Sequence, residues 1–592
     1  MDSIAVMKFG SSVLANETQL PAVIDEIYRA IREGYRVVAV VSALGDTTDA
    51  LVQSYGQPEL SEEGYATYVG TGELVSASLL ARELARSGIT STLADAGRIR
   101  LITDGSILNA EPVGLDTLGV IRLLEDNDVV VVPGFLGRDI HGRTTLLGRG
   151  GSDLTAVYIA NQLDAPCILL KDVDGIFEED PALSQGEVPR FECLSWQTAL
   201  EIGGAVVQRK ALEYAAHNGT SLVVRSLRGE GTVVGAFSDA LESGPSHSNP
   251  PLSVGLIGLG TVGCEVYRRI IASTDLRLVS ILVKDAQKKR SVESSLITTD
   301  PSVFFKSDAD LIIDCSNPSE SLNIRLLQAL ENGVRVVTAN KGNLADDLDA
   351  WAPWIQQGRV RHSATVGGVI SMLETTREEK ARSQIQQFRA VLNGTCNYIL
   401  DRLHAGQSFQ DALDEAQALG FAEADPSADI DGFDAARKCS LLAFEAWGQV
   451  VDWQGIELEG IRPLTTEDAR NATKSGALLR LVAEGRLHED TVTLSVKPQW
   501  VAQGTPEALV EGPMNILTLH AGEGRVLKRS GAGAGGLATA VSVFGDVLSF
   551  IGDRSIGSGR FMPILVKDEY DDSNTKARQS RRRGRPTSRP LS

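Results

Sequence analysis

Two apolar strands in this chain each run into a glycine-bearing turn and then into a helical stretch. The first, Ile4 to Phe9, opens onto the K-F-G-S-S run from Lys8 to Ser12. The second, Leu252 to Ile257, opens onto G-L-G-T-V-G from Gly258 to Gly263. A strand feeding a helix through such a turn is the starting unit of a parallel sheet covered on both faces. Two such starts, each followed by its own set of charged residues, require two α/β units with two separate sites.

The rest of the chain agrees with that requirement. Short β-branched runs alternate with amphipathic stretches, as at Arg36–Ser42, Asp128–Val132 and Cys167–Lys171 in the first half. Leu278–Lys284, Leu311–Cys315 and Val334–Thr338 repeat the pattern in the second. Continuous apolar strands between helices predict mainly parallel sheets. A chain of 592 residues is too long for one core and predicts roughly three or four folding units. The Ser-, Pro- and Gly-rich stretch at 243–251 reads as a linker. The polar and then basic end from about residue 568 reads as a disordered tail.

Charge and cysteine usage exclude several function classes. A net charge of −20 argues against nucleic acid as the main partner, because a phosphate backbone would be repelled. No run of about 18 apolar residues is present, so no membrane span is expected. The N-terminal residues lack a basic region followed by an apolar stretch, so no secretion signal is expected. The six cysteines are scattered without a C-x-x-C pair, which predicts reduced thiols in the cytoplasm and no zinc site.

In the first half, Gly10, Ser11 and Ser12 would let backbone N–H groups approach phosphate, with Lys8 neutralising transferred charge. It is not a Walker A loop. The L-G-R-G-G-S-D run from Leu147 to Asp153 adds a second glycine-rich turn. Its Arg149 offers a planar fork for a carboxylate, and Asp153 could orient the Lys8 ammonium. Lys171, Asp172 and Asp174 then follow a strand, where nucleotides bind in open sheets.

With V-S-A at 41–43, T-G-E-L at 71–74, P-G-F-L-G at 133–137 and T-T-L-L-G-R-G-G-S-D at 144–153, residues 4–236 resemble the catalytic domain of aspartokinases, of the amino-acid kinase family. The resemblance implies that Lys8, with Gly10 and Ser11, contacts ATP and stabilises the transferring phosphoryl group. It implies that Glu73 and Arg149 hold aspartate, Asp153 organises the site, and Lys171, Asp172 and Asp174 line the nucleotide pocket. It also implies Mg²⁺ on the ATP phosphates. The K-F-G-S-S-V run is one residue shorter than the family's K-F-G-G-T-S-V, and a family histidine falls at Gln208 or Arg209.

In the second half, Gly258, Gly260 and Gly263 sit in the strand–turn–helix context that a dinucleotide pyrophosphate needs, with Thr261 and Val262 opening the helix. The next strand ends at Lys284 and Asp285, followed by Lys288, Lys289 and Arg290. These cations favour the 2′-phosphate of NADP, with NAD possible in its place. The T-A-N-K run ending at Lys341 closes another apolar strand. A block dense in carboxylates (Glu423, Asp425, Asp429, Asp431, Asp434) then runs from Gly420 into Lys438. Asp434 and Lys438 are four apart, on one helical face. Reducing an aldehyde needs a cation or acid at the carbonyl oxygen, and a Lys beside other cations can have a lowered pKa.

Together with A-T-V-G-G at 364–368, N-G-T-C-N-Y-I-L at 393–400 and G-A-G-A-G-G-L-A-T-A at 531–540, these motifs resemble homoserine dehydrogenases over residues 253 to about 562. The resemblance implies Lys438 as proton donor assisted by Lys341, Glu423 and Asp434 as substrate ligands, and Gly420 against the cofactor. It further implies a monovalent-cation site, Na⁺ or K⁺, on the backbone oxygens of Val366, Gly368 and Ile370. There a family Glu is replaced by Ser363.

The whole chain therefore resembles bifunctional aspartokinase–homoserine dehydrogenases. The expected fold is α/β: a three-layer amino-acid-kinase domain at 1–237, a linker at 238–252 and a Rossmann domain at 253–341. An α+β substrate and dimerisation domain at 342–530, a return to the dehydrogenase core at 531–567 and the tail at 568–592 complete it. The substrates expected are L-aspartate and L-aspartate 4-semialdehyde or L-homoserine, with a homo-oligomer, dimer or higher. Only residues 237–252 separate the halves, too few for an ACT regulatory domain. The alternatives are a dehydrogenase with an inactive kinase-like domain, a kinase of another acidic amino acid, or a nucleotide sensor.

Overall fold

A strand that is apolar on both sides needs a cover on both faces, and the first half supplies it. The computed structural model describes residues 3–552 apart from 59–60, 182, 185–187, 243–249, 289, 291 and 534. Ser3–Phe9 lies inside a nine-stranded sheet, parallel to Tyr35–Val41 on one side and to Cys167–Leu170 on the other. Side chains alternate across it. Ala5, Met7 and Phe9 pack with Val23 and Ile27 of helix Leu20–Arg32 and with Leu80 of helix Thr71–Arg86. Val6 points the other way, into a core with Leu154 of helix Gly151–Leu163 and Leu212 of helix Arg209–Asn218. The result is the three-layer α/β unit expected. Two of the sheet's eight strand pairings are antiparallel, Leu222–Arg225 with Thr232–Gly235 and Phe191–Ser195 with Ala240–Leu241.

The second half opens with a six-stranded, wholly parallel sheet centred on Leu252–Ile257 and Leu311–Asp314. Its last strand is Val360–Arg361, so the sheet continues past residue 341. A second six-stranded sheet is mainly antiparallel and built around the long pair Ala477–His488 and Thr491–Ala502. Helices Gly394–His404 and Phe433–Trp447 cover it, with Ile399, Leu400, Leu441 and Leu442 in its core.

Helix Gly536–Gly552 then returns to the dinucleotide unit. Its Val543, Phe544 and Val547 share a core with Val266 and Ile270 of helix Thr261–Ile271. Its Ala538 and Val541 join the core of the first half, beside Val369. One helix thus packs against both halves. None of the six cysteines is in a disulfide. No helix among the described residues is long and apolar enough to cross a membrane. The expected tail at 568–592 and most of the 243–251 stretch lie outside the described residues.

Candidate active sites

The strand Ser3–Phe9 delivers Lys8 to the carboxyl edge of the first sheet, where the adjacent strand Cys167–Leu170 delivers Lys171. Helix Gly151–Leu163 starts opposite them and carries Asp153 in its first turn. Lys8 Nζ lies 2.7 Å from Asp153 Oδ1, and Lys171 Nζ lies 2.8 Å from Oδ2. Burial alone would raise the Asp153 pKa, yet the two ammonium groups hold it well below the usual carboxylate range. Burial holds Lys8 below the usual lysine range, with Asp153 opposing. Two cations on one buried carboxylate form a site ready for a further anion.

Glu73, on helix Thr71–Arg86, is 3% exposed and receives the Ala43 N–H and the Thr48 hydroxyl, both at 3.4 Å. Burial pushes it up to about 7. Arg149 is exposed on the turn that leads to Gly151. Asp174 receives Ser226 N–H and Glu230 N–H at 3.3 Å and so pins the 226–230 turn. Gln208 rather than Arg209 lies at the site. Its N–H points to Asp153 at 3.5 Å and a Cβ on Gly150 would meet its side chain, whereas Arg209 pairs outward with Glu213.

In the second half, Gly258 holds φ +89° beneath Cys315, and a Cβ on Gly263 would fall 2.1 Å from Gly258 O. Gly260 faces open space. These are the tight turn, the close helix–strand contact and the open approach that a dinucleotide pyrophosphate requires. Lys284 is exposed just past the end of the neighbouring strand, and Arg290 donates to Asp285 O and Lys288 O. Lys289 lies outside the described residues.

Asp434 and Lys438 occupy successive turns of helix Phe433–Trp447. Asp434 Oδ2 is 2.8 Å from Lys438 Nζ and Oδ1 is 2.9 Å from Lys341 Nζ. Lys438 also donates to Leu392 O at 2.8 Å. Asp434, rather than being one more surface carboxylate, is 5% exposed and bridges both lysines. Burial would raise its pKa, but Lys438 and Lys341 hold it well below the usual range. Lys341 is raised, chiefly by Asp434. That is the reverse of the lowering that neighbouring cations alone would produce.

The carboxylate block upstream divides. Asp429 joins the lysines through Asn393, whose Nδ2 donates to Asp429 at 2.6 Å and to Asp434 at 2.9 Å. Asp431 turns away to Arg462, Asp425 receives Ser427 N–H, and Glu423 is exposed. Asn393 and Thr395, whose hydroxyl reaches Asp429 at 3.2 Å, complete the site beyond the residues that the resemblance names. Their signal was the N-G-T-C run itself.

Three family models match this chain. The amino acid kinase family covers residues 3–226, the homoserine dehydrogenase NAD-binding domain 258–358, and homoserine dehydrogenase 371–548. A homoserine dehydrogenase of Neisseria gonorrhoeae is 32% identical over 50% of this chain and 72% of its own length. The chain belongs to the homoserine dehydrogenase family. Its first half places an amino acid kinase domain ahead of that unit, the layout of a bifunctional aspartokinase–homoserine dehydrogenase. A homoserine dehydrogenase of Mycobacterium tuberculosis is 33% identical over 52% of this chain and 74% of its own. The crystal structure of one from Thiobacillus denitrificans is 31% identical, with TM-score 0.48, covering 51% and 73%.

The dehydrogenase loop expected to hold a monovalent cation is buried at Val366, Gly368 and Ile370, with Gly368 at φ +58°. Ser363 stands in place of the carboxylate, and both its N–H and its hydroxyl are held by Asp546, at 2.8 and 2.7 Å. No group of three or more His, Cys, Asp or Glu placed to hold a metal occurs among the described residues.

Proposed function

We propose that the first half transfers the terminal phosphoryl group of MgATP to the side-chain carboxylate of L-aspartate, giving 4-phospho-L-aspartate and ADP. The second half interconverts L-aspartate 4-semialdehyde and L-homoserine, with NADP preferred over NAD. The observation that carries both is the repeated construction: a buried aspartate clamped between two lysines at a sheet's carboxyl edge.

In the kinase, an attacking carboxylate oxygen bonds to phosphorus as the bridge to ADP breaks, so negative charge must be stabilised throughout. Lys8 and Lys171 supply that stabilisation, with Gly10 and Ser11 giving backbone approach and Asp172 and Asp174 shaping the nucleotide side. Arg149 takes the substrate's other carboxylate and Glu73, once ionised, its ammonium. In the dehydrogenase, Lys438 gives its proton to the semialdehyde oxygen while Lys341 adds positive charge beside it. Asp434 fixes both lysines, and with Glu423 receives the substrate ammonium. The nicotinamide cofactor supplies the reducing equivalents when bound. It would be seated on Gly258, Gly260, Thr261, Val262 and Gly263, against Gly420 and Lys341, with Lys284 at the 2′-phosphate.

The resemblance also supports a cytoplasmic dimer or higher oligomer, and Trp500 and Leu509 are exposed on the 342–530 unit. The short 237–252 stretch supports an enzyme that threonine and lysine do not inhibit through an ACT domain.

The test is aspartate-dependent ADP release and homoserine-dependent NADP reduction on one preparation, comparing wild type, Lys8→Ala and Lys438→Ala. Each variant should abolish one reaction and spare the other. Wild type that reduces NADP but releases no ADP would leave the first half an inactive kinase-like domain.

A further inference from the structure

Helix Leu20–Arg32 belongs to the kinase half, yet its last residue completes a charge cluster in the dehydrogenase half. The Arg32 side chain is 9% exposed, with Nε 3.0 Å from Glu374 Oε1 and Nη2 2.7 Å from Asp546 Oδ1. Nη2 also lies 3.4 Å from Ser363 Oγ. Asp546 is fully buried and grips the Ser363 N–H and hydroxyl, so Arg32, Asp546 and Ser363 form one closed unit. Helix Gly536–Gly552 leaves room for the guanidinium at Gly545, where a Cβ would fall 2.5 Å from Nη1. An ion is buried this way only where its partners are built for it.

Ser363 is the position at which the family resemblance places a Glu beside the monovalent-cation site. Here that residue is a hydroxyl, and the carboxylate that reaches it, Asp546, is already committed to Arg32. The side chains at that position therefore leave no free carboxylate for an alkali cation. We propose that the Arg32 guanidinium takes its place: the kinase half supplies, within the same chain, the fixed positive charge that positions the 363–370 loop of the dehydrogenase.

The loop is well placed to matter. A Cβ on Gly368 would fall 3.6 Å from Gly533 O and 3.7 Å from Ala532 O, and one on Gly533 would strike the Asn515 amide. Asn515 Nδ2 donates at 3.1 Å to Leu392 O, the carbonyl that also receives the Lys438 ammonium. Helix Gly536–Gly552, which carries Asp546, begins against Thr261, where a Cβ on Gly536 would meet Thr261 Cγ2 at 2.3 Å. Arg32 is thus linked through the 363–370 loop, residues 532–533 and Asn515 to the carbonyl that holds Lys438, and through helix Gly536–Gly552 to the start of the cofactor helix. Arg32 touches neither substrate nor cofactor, so it is a positioning residue.

This inference rests on the dehydrogenase reading, and the experiment separates the two. Homoserine-dependent NADP reduction by the full chain is measured in tetramethylammonium buffer, then with NaCl or KCl added at constant ionic strength. Wild type, Arg32→Lys and Arg32→Met are compared, with sodium NMR line width on wild type as a direct binding probe. Wild type should be indifferent to the cation and should not broaden the sodium line. Arg32→Met should lose between about 2-fold and about 30-fold in kcat, keep aspartate-dependent ADP release, and regain rate with Na⁺ or methylguanidinium. Arg32→Lys should fall between.

A wild-type rate that rises saturably with Na⁺ or K⁺ would overturn the inference. So would full activity of Arg32→Met in tetramethylammonium, or a loss that no cation restores. Wild type without homoserine oxidation in any salt would instead overturn the parent reading.

Discussion

Replacing Asp434 by Asn removes one charge and leaves two lysines without their shared partner. The Lys438 side chain is 10% exposed and that of Lys341 42%, so the two contacts do not count equally. Stranding one member of a buried pair costs about 3–5 kcal/mol. The solvent-screened Lys341 contact adds at most about 1 kcal/mol. The Asn amide oxygen still accepts one hydrogen bond, which returns about 1 kcal/mol. Lys438 also keeps Leu392 O.

The net expectation is a loss of about 2–5 kcal/mol in the dehydrogenase half. A fall in homoserine-dependent kcat of about 100-fold or more should accompany it, as for a displaced proton donor. Five of the six tryptophans lie beyond residue 350, so urea unfolding followed by tryptophan fluorescence reports chiefly on that half. Because the Asp434 pKa is depressed, its stabilisation is fully present above the ordinary carboxylate pKa. It is lost only as pH falls through the folded value. The gap between variant and wild type should therefore stay constant from about pH 6 to about pH 9. A variant within about 1 kcal/mol of wild type, or one with unchanged kcat, would refute the bridging role.

Three further outcomes follow from other parts of the molecule. Glu73, pushed up to about 7, must be ionised to hold an ammonium, so the KM for aspartate should fall as pH rises through about 7. Glu73→Gln should flatten that profile; an unchanged profile would remove Glu73 from the substrate site. Gly263→Ala places a Cβ 2.1 Å from Gly258 O and should weaken NADP binding by about 1–3 kcal/mol, read by titration of cofactor fluorescence, with ADP release intact. Glu26 is 1% exposed and receives Arg225 at 2.6 Å and Arg29 at 2.7 Å. Burial opposes its ionisation, but Arg225 and Arg29 lower its pKa from 4.5 to about 2. That carries about 3 kcal/mol of kinase-half stability, present above about pH 4.5 and lost as pH falls toward 2. Glu26→Gln should lose it at neutral pH, and a variant as stable as wild type in urea would contradict the assignment.

Much of the candidate chemistry was legible because the candidate lysines sit at strand ends and helix turns that local pattern defines. Lys8 follows from an apolar strand, and the Asp434–Lys438 contact follows from a four-residue helical spacing. The division of the 420–434 carboxylates was not legible. Beyond the local Lys438 contact of Asp434, what separates Asp431 from Asp434 is the long-range partner, Arg462 or Lys341, that the fold brings near. Gln208 and Arg209 likewise could not be separated by sequence, because one residue of register decides which faces Asp153. A lysine beside other cations would be lowered, but the charge nearest Lys341 is Asp434, and Coulomb attraction at 2.9 Å raises it.

By itself, the sequence determined two α/β units, their glycine turns and the residue types at each reacting centre. All of these are short-range consequences of period, turn chemistry and charge. Only the tertiary structure decided how the halves meet. Arg32, Ser363 and Asp546 are separated by hundreds of residues, and no local pattern marks them. They come together because helix Gly536–Gly552 must bury apolar faces against both units at once, and that packing carries Asp546 to the end of the kinase helix.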